Sequence, residues 1–469
     1  TLDDFIPQMY ESTSESESPY VKTSLISDDC SEFSASPETT VRGLTTIMTM
    51  KMFEEVVEFE VDHITSRWAH VYSSGNTLVL AEPTADWWWF WRNNDFEDTT
   101  NIHAFDISDG NTTSYIGSGR VSGTVQDQFS MSEFQGSIRI ASTSDAWGRW
   151  WLEGEIDENG DPIFTGPTNQ VTILQQSEGS LVEVGIVEDI APNETIWSAR
   201  FIGDRGYLVT FENVDPLWVL DLSNPLDPQI LGELEIPGVS TYIHPVDDDH
   251  LLTIGIGPGD EGIGLDWSTT QVSLFDVSDP SNPVLSDIEV LSPGYVDENC
   301  DEIRSCGWSW SWSEASYEHK AFTYWGPEEM LAVPLSTYRY NWENNGGSYT
   351  HNYEYVSTLK MINVDVENES LSLHGTANHS DFYNVDESNS WYGSQNSIRR
   401  SIFMGEFIYS FSAFGATVHK VDDMSVQVEL DLPGHYFNDY TVLVESEDSG
   451  ESEEEMHPCN TEDAEGCED

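Results

Sequence analysis

The side chains best suited to chemistry in this 469-residue chain are oxygen donors, indoles and thiols, and they occur in clusters. Asp157, Asn159 and Asp161 recur at every second position around Gly160. Carboxylate and amide oxygens at that spacing suit calcium, although the terminal bidentate glutamate of a complete EF-hand loop is missing. A solvated Asp/Asn turn is the rival reading. Asp260, Glu261 and Asp266 form a looser group, and calcium is the one cofactor the sequence suggests. Indoles form a second set: Trp87, Trp88, Trp89 and Trp91 in one run, Trp147, Trp150 and Trp151 in another. Trp308, Trp310 and Trp312 alternate with serine, and Trp342 stands among Tyr338, Tyr340 and Tyr349. An extended segment would place all three alternating indoles on one side. Such rings can shield one another, anchor a protein partner or stack on a sugar. Thiols form the third set. The close pairs Cys300/Cys306 and Cys459/Cys467 suit short disulfide loops in an oxidising compartment. Neither pair has CxxC or histidine spacing for zinc, and Cys30 is left over.

Catalytic signatures are absent from the sequence. It has no GxSxG elbow, HExxH helix, P-loop or glycine-rich dinucleotide fingerprint. His319 and His351 have no nucleophile at motif spacing, and His244, before Pro245, reads as a core histidine. Carboxylate pairs at glycosidase spacing are uninformative in so acidic a chain. No enzyme is expected.

The sequence holds 85 acidic against 17 basic residues, a net charge of −68 and a pI near 4.1. Such a surface repels nucleic acid and anionic lipid over a Debye length of about 8–10 Å, and suits solubility in saline or marine water. No run of about eighteen apolar residues spans a membrane. A start at Thr1 without Met matches an exported, processed protein, so an extracellular or cell-surface location is expected. The sequons at Asn111, Asn193, Asn368 and Asn378 agree with export.

The elements that must position these side chains are strands. Between an acidic Ser/Glu-rich extension (1–40) and an acidic tail (446–469) with its Cys459–Cys467 loop, helical periodicity is almost missing. Short β-branched and aromatic runs are separated by Gly, Asn-Pro and Asp-Pro turns. One run repeats: Phe105-Asp106-Ile107-Ser108-Asp109 returns at Leu220-Asp221-Leu222-Ser223-Asn224-Pro225 and at Phe275-Asp276-Val277-Ser278-Asp279-Pro280. Looser copies lie at 363–366 and 420–423. Its Asp and Ser side chains can bond the backbone of a tight turn. A period of roughly fifty residues with four strands per unit is the pattern of a β-propeller blade. Six units are expected, at about 67–124, 126–190, 196–236, 241–292, 315–380 and 397–433. Strands Thr45–Met52, Val56–Val61 and Tyr440–Glu445 remain, which predicts an all-β, seven-bladed propeller over 41–445. Its closing blade would combine N- and C-terminal strands; six blades is the alternative.

The stretch "ARFIGDRGYLVTFENVDPLWVLDLSNPLDPQILGELEIPG" (199–238) resembles the diagnostic core of a family of secreted prokaryotic proteins with a C-terminal β-propeller distantly related to WD-repeat propellers. "VSLFDVSDPSNP" (272–283) and "SEASYEHKAFTYW" (313–325) fit it as well. The resemblance implies export and a propeller, and it implies no particular chemistry. The extra N-terminal strands usual in that family are not discernible.

In a propeller, the loops joining second to third strands and the loops joining blades emerge on one face. Here that face receives nearly every long insertion, and the insertions carry the aromatic and acidic residues. The expected function is therefore a non-enzymatic extracellular scaffold that binds a protein partner or a copy of itself, stabilised by calcium. Its terminal segments would dock along strand edges of the next copy. The alternative is a carbohydrate-binding module or polysaccharide-active enzyme using the same face.

Overall fold

The computed structural model describes residues 8–12, 20–26, 33–35, 43–52, 58–66, 68–84, 98–144, 166–211, 215–259, 264–292, 308–344, 349–382 and 397–432. Among them the chain forms six antiparallel sheets of four or five strands, each built from consecutive strands. Sheet 1 is His70–Ser73, Thr77–Pro83, Thr99–Asp106 and Ser114–Ser122. Sheet 2 is Met131–Phe134, Ser137–Ser144, Thr168–Ser177 and Ser180–Ile190. Sheet 3 is Thr195–Ile202, Arg205–Phe211, Asp215–Asp221 and Gln229–Ile236. Sheet 4 is Val239–Pro245, His250–Pro258, Leu265–Asp276 and Val284–Val290. Sheet 5 contains Trp308–Trp312, Thr323–Trp325, Met330–Asn344, Tyr349–Asp365 and Ser370–Asn378. Sheet 6 is Arg400–Met404, Phe407–Phe411, Gly415–Lys420 and Val426–Asp431.

These bounds follow the six expected units closely. Residues 308–312 are the exception, since the sequence placed them in an insertion. They pair with Ser336–Tyr340, on the side of Met330–Asn344 where Thr323–Trp325 also pairs. The first strand of sheet 5 is therefore split in two.

Apolar side chains on both sides of each sheet meet those of its neighbours, as a propeller requires. Leu208 and Leu220 of sheet 3 pack with Ile173 of sheet 2, and Val209 and Leu217 with Leu251 and Phe275 of sheet 4. Leu252 and Leu274 of sheet 4 meet Leu331 and Ile362 of sheet 5, and Met361 of sheet 5 meets Ile408 of sheet 6. The third strand of every sheet carries a β-bulge against the fourth, between Val219/Leu220 and Leu274/Phe275 for example. A bulge at one place in every unit adds the same extra twist to each.

The repeated Asp turn is also a packing device. Asp106, Asp221 and Asp276 each accept from the backbone N–H of the serine two residues on, at 2.8–2.9 Å. The turns after Asp221 and Asp276 then rest on the outer strand of the preceding sheet. A Cβ on Gly185 would lie 2.2 Å from the Pro225 carbonyl oxygen, and one on Gly232 would lie 2.7 Å from that of Pro280. Glycine is needed there because the next unit's turn fills the space.

At the N-terminus, Gln8–Ser12 and Tyr20–Ser24 form a hairpin. Thr45–Met50 and Phe59–Ile64 pair antiparallel, and Phe33–Ser34 joins them in parallel. Residues 1–40 thus contain strands that the sequence pattern did not reveal, because those segments are short and polar. The three-stranded sheet packs on sheet 1 through Ile64, Leu80 and Phe105. At the other end of the series, Ile402, Met404, Val428 and Leu430 of sheet 6 are exposed. The predicted closing strand, 440–445, lies outside the described residues. No helix among the described residues is long and apolar enough to cross a membrane.

Candidate functional site

The longest connections of the six sheets collect on one face, opposite the tight turns that join first to second strands. Turns such as 74–76, 135–136, 203–204, 246–249 and 405–406 join first to second strands and are two to four residues long. The connections at 85–97, 145–165, 293–307 and 383–396 all emerge on the opposite face and lie outside the described residues. Trp87, Trp88, Trp89, Trp91 and Trp150 fall in them. So do the predicted calcium residues Asp157, Asn159 and Asp161. Cys30, Cys300, Cys306, Cys459 and Cys467 likewise lie outside the described residues. Among the described residues no cluster of three metal-ligating side chains occurs.

Of the predicted aromatics, Trp310, Trp312 and Tyr338 are brought together on that long-loop face, while the side chains of Trp308 and Trp342 lie outside the described residues. The middle strands of sheet 5, Met330–Asn344 and Tyr349–Asp365, run for 15 and 17 residues. The outermost strand pairs only as far as Thr358, so the ribbon continues beyond the sheet for some nine residues, roughly 30 Å at strand rise. Trp308–Trp312 lies along one edge of it, with Trp308 opposite Tyr340 and Trp310 opposite Tyr338. Trp342 pairs with His351 further out. The alternation puts Trp310 and Trp312 side by side, ring centroids 5.2 Å apart. Trp312 stacks on Tyr338 at 5.2 Å, and Tyr338 meets Tyr355 at 4.9 Å. Tyr355 is buried, and its hydroxyl donates to Ser336 Oγ at 3.0 Å. Burial pushes that phenol up to about 12.

The track continues across the neighbouring sheets. Trp310 Nε1 donates to the Trp267 carbonyl at 2.5 Å, and the Trp267 ring lies 6.0 Å from Trp197, which packs edge-on against Phe211 at 5.7 Å. Trp310 and Trp267 keep 44% and 58% of their surface exposed, enough to present one indole face each. The inner rings shield each other and the outer two face solvent. Trp197 was missed in the sequence because it sits inside a first strand, away from any insertion.

A second group, at the inner strands, had no sequence signal as a site. Between the two parts of the split strand, residues 313–322 form two short 3-10 turns, Glu314–Ser316 and His319–Ala321. Ser313 and Glu318 cap them, each accepting a backbone N–H at 3.2 Å. The segment reaches sheet 2, which is not a neighbour of sheet 5. Gln128 Nε2 lies 3.2 Å from His319 Nδ1, and Phe129 meets the His319 ring at 4.9 Å. On its other sides Phe322 contacts Tyr242 and His244, each at 5.2 Å, and the buried Glu314 pairs with Arg399 and Arg400. Ten residues can touch sheets 2, 4 and 6 together only where the inner strands converge, so this segment crosses the central channel. His244 is half-buried there. Burial, then the charge of Arg200, lowers its imidazole to about 4, so it is neutral at physiological pH. The core-histidine reading of His244 agrees with this placement.

Comparison with known proteins adds the family. The model of the beta propeller domain matches residues 2–424, including the segment set apart above as an extension. An uncharacterised protein of Methanocaldococcus jannaschii is 28% identical over 341 residues, 71% of this chain and 42% of that protein. An uncharacterised protein of Archaeoglobus fulgidus is 33% identical over 196 residues, 40% of this chain and 26% of that one. The chain thus spans less than half the length of these curated relatives. Among solved structures, the Cps50 (Swd1) β-propeller domain of Myceliophteria thermophila aligns with 78% of this chain and 88% of its own, at 12% identity and a TM-score of 0.34.

Proposed function

The chain belongs to the beta propeller domain family, and from that premise we propose that it is a non-enzymatic extracellular scaffold that associates with copies of itself through the aromatic ribbon of sheet 5. The support for this reading is that the exposed indole of Trp310 lies among segments with few charged residues. Segments 308–313, 336–344 and 349–357 hold only Arg339, Glu343 and Glu354 as charged residues, in a chain of net charge −68. Two such chains repel each other least where carboxylates are absent, and Trp310 and Trp267 are the ring types that dominate protein contacts. Calcium bound at Asp157, Asn159 and Asp161 would lower the repulsion further, and the paired cysteines fit an exported protein.

Light scattering on the full chain, in calcium and then in EDTA, tests this reading. A concentration-dependent oligomer that Trp310→Ala reduces to monomer is the expected result. A monomer under all conditions would refute self-association. Should that monomer retain oligosaccharides on a glycan array, with Trp310→Ala abolishing retention, the ribbon would be a sugar platform instead.

A further inference from the structure

A separate cavity of about 330 Å³ opens between the inner strands of sheets 1, 2 and 3. Its chemistry is unusual for this chain. Tyr72, Gln128, Ser132 and Arg200 contribute polar groups, while Phe129, Met131 and Phe201 contribute apolar walls. Among the described residues no carboxylate lines it, although the sequence holds 85.

Arg200 is half-buried, and its guanidinium lies 4.9 Å from the Phe129 ring centre. It makes no hydrogen bond or ion pair with any described residue, whereas Arg399 and Arg400 are paired with Glu314. Stacking on Phe129 leaves the N–H edge of the guanidinium available for a planar, two-oxygen partner. Behind the wall a second cation is deeply buried. Arg139, 3% exposed, lies between the Phe134 and Phe201 rings, each 5.1 Å away. It donates to Ser132 Oγ and to the Gly203 carbonyl, and its Nε has no partner. Two acids adjoining the lining residues in sequence have hydrogen-bond partners of their own. Asp127 accepts from the backbone of Phe129 and Ser130, and Glu133 from Ser74 and Gly136. The Tyr72 hydroxyl accepts from the Glu133 N–H at 3.1 Å, so its own proton is free to point into the cavity.

A half-buried cation with no hydrogen-bond or ion-pair partner among the described residues costs free energy that a directly bound anion would recover. We infer that this cavity binds a small organic carboxylate, its two oxygens on Arg200 and its hydrocarbon body between Phe129, Met131 and Phe201. The volume sits at the lower end of the usual ligand range of about 300–1,000 Å³, which suits an acid the size of benzoate. The site is independent of the aromatic ribbon.

Titration calorimetry on the full chain tests it, with benzoate, its neutral isostere benzamide and inorganic phosphate as probes. Saturable one-to-one binding of benzoate is expected, with benzamide weaker by roughly tenfold or more, the size of one charge-assisted contact. Arg200→Gln should abolish benzoate binding while leaving the Tm of the unliganded protein within a few degrees. Tyr72→Phe, which keeps the ring, should weaken it roughly three- to tenfold. Equal binding of benzamide, unchanged binding in Arg200→Gln, or no heat with benzoate at about 20 mM would overturn the inference. Phosphate binding more tightly than benzoate would overturn the carboxylate assignment.

Discussion

The two faces of this propeller are built from the same six units and differ in what their connections do. On the tight face, Asp106, Asp221 and Asp276 tie their own turns together, and the turns after Asp221 and Asp276 press on glycines of the preceding sheet. On the opposite face, the ribbon of sheet 5 extends past its partners, carries the exposed Trp310 along its edge and holds few charged residues. The lesson is that repetition marks scaffold, and departure from repetition marks the surface free to take on a task. Sheet 5 departs most, with its split first strand, and it is also where the aromatic track ends.

Substitutions on the two sides should separate stability from assembly. The largest effect is expected at Phe275→Ala. Phe275 is fully buried between sheets 3 and 4, and its truncation should destabilise by about 3–5 kcal/mol in denaturant unfolding. Any dimer that survives should keep the affinity of the wild type. Trp310→Ala should do the opposite, changing unfolding by less than about 1 kcal/mol while removing self-association. If Trp310→Ala proved as destabilising as Phe275→Ala, the ribbon would be core and the distinction between the faces would fail.

A smaller effect sharpens the tight face. Asp276→Ala should cost about 0.5–1.5 kcal/mol, the value of a net hydrogen bond. The hydroxyl and N–H of Ser278 hold the Asp276 carboxyl below its ordinary value of 3.8, with burial opposing. A carboxylate whose folded value is depressed contributes in full above the unfolded value and loses that contribution as pH falls through the folded one. The difference between wild type and Asp276→Ala should therefore be constant above about pH 5 and shrink below pH 4. A difference that grew in acid would mean that the turn does not stabilise the ionised form.

Much of the tight face was legible in the sequence, because Asp-x-Ser turns, glycines and β-branched runs act locally and repeat. The period located six sheets within a few residues. Trp308–Trp312 could be read as one-sided from alternation alone, but its pairing with Ser336–Tyr340 depends on a contact across some thirty positions that no local pattern encodes. The same holds for the channel. Arg200, Gln128 and His319 come from three units and meet only because the ring converges, so their types carried no spacing signal. A weaker clue was available: with 17 basic residues in the whole chain, each arginine is a rare commitment.

Hydrogen exchange compared between the assembled and the dissociated full chain tests the division of the two faces most directly. Assembly should slow exchange at 308–312 and along 336–357, leaving the turns at 222–228 and 277–283 unchanged. Protection confined to those turns, with the ribbon unaffected, would contradict the assignment of the long-loop face as the surface of association.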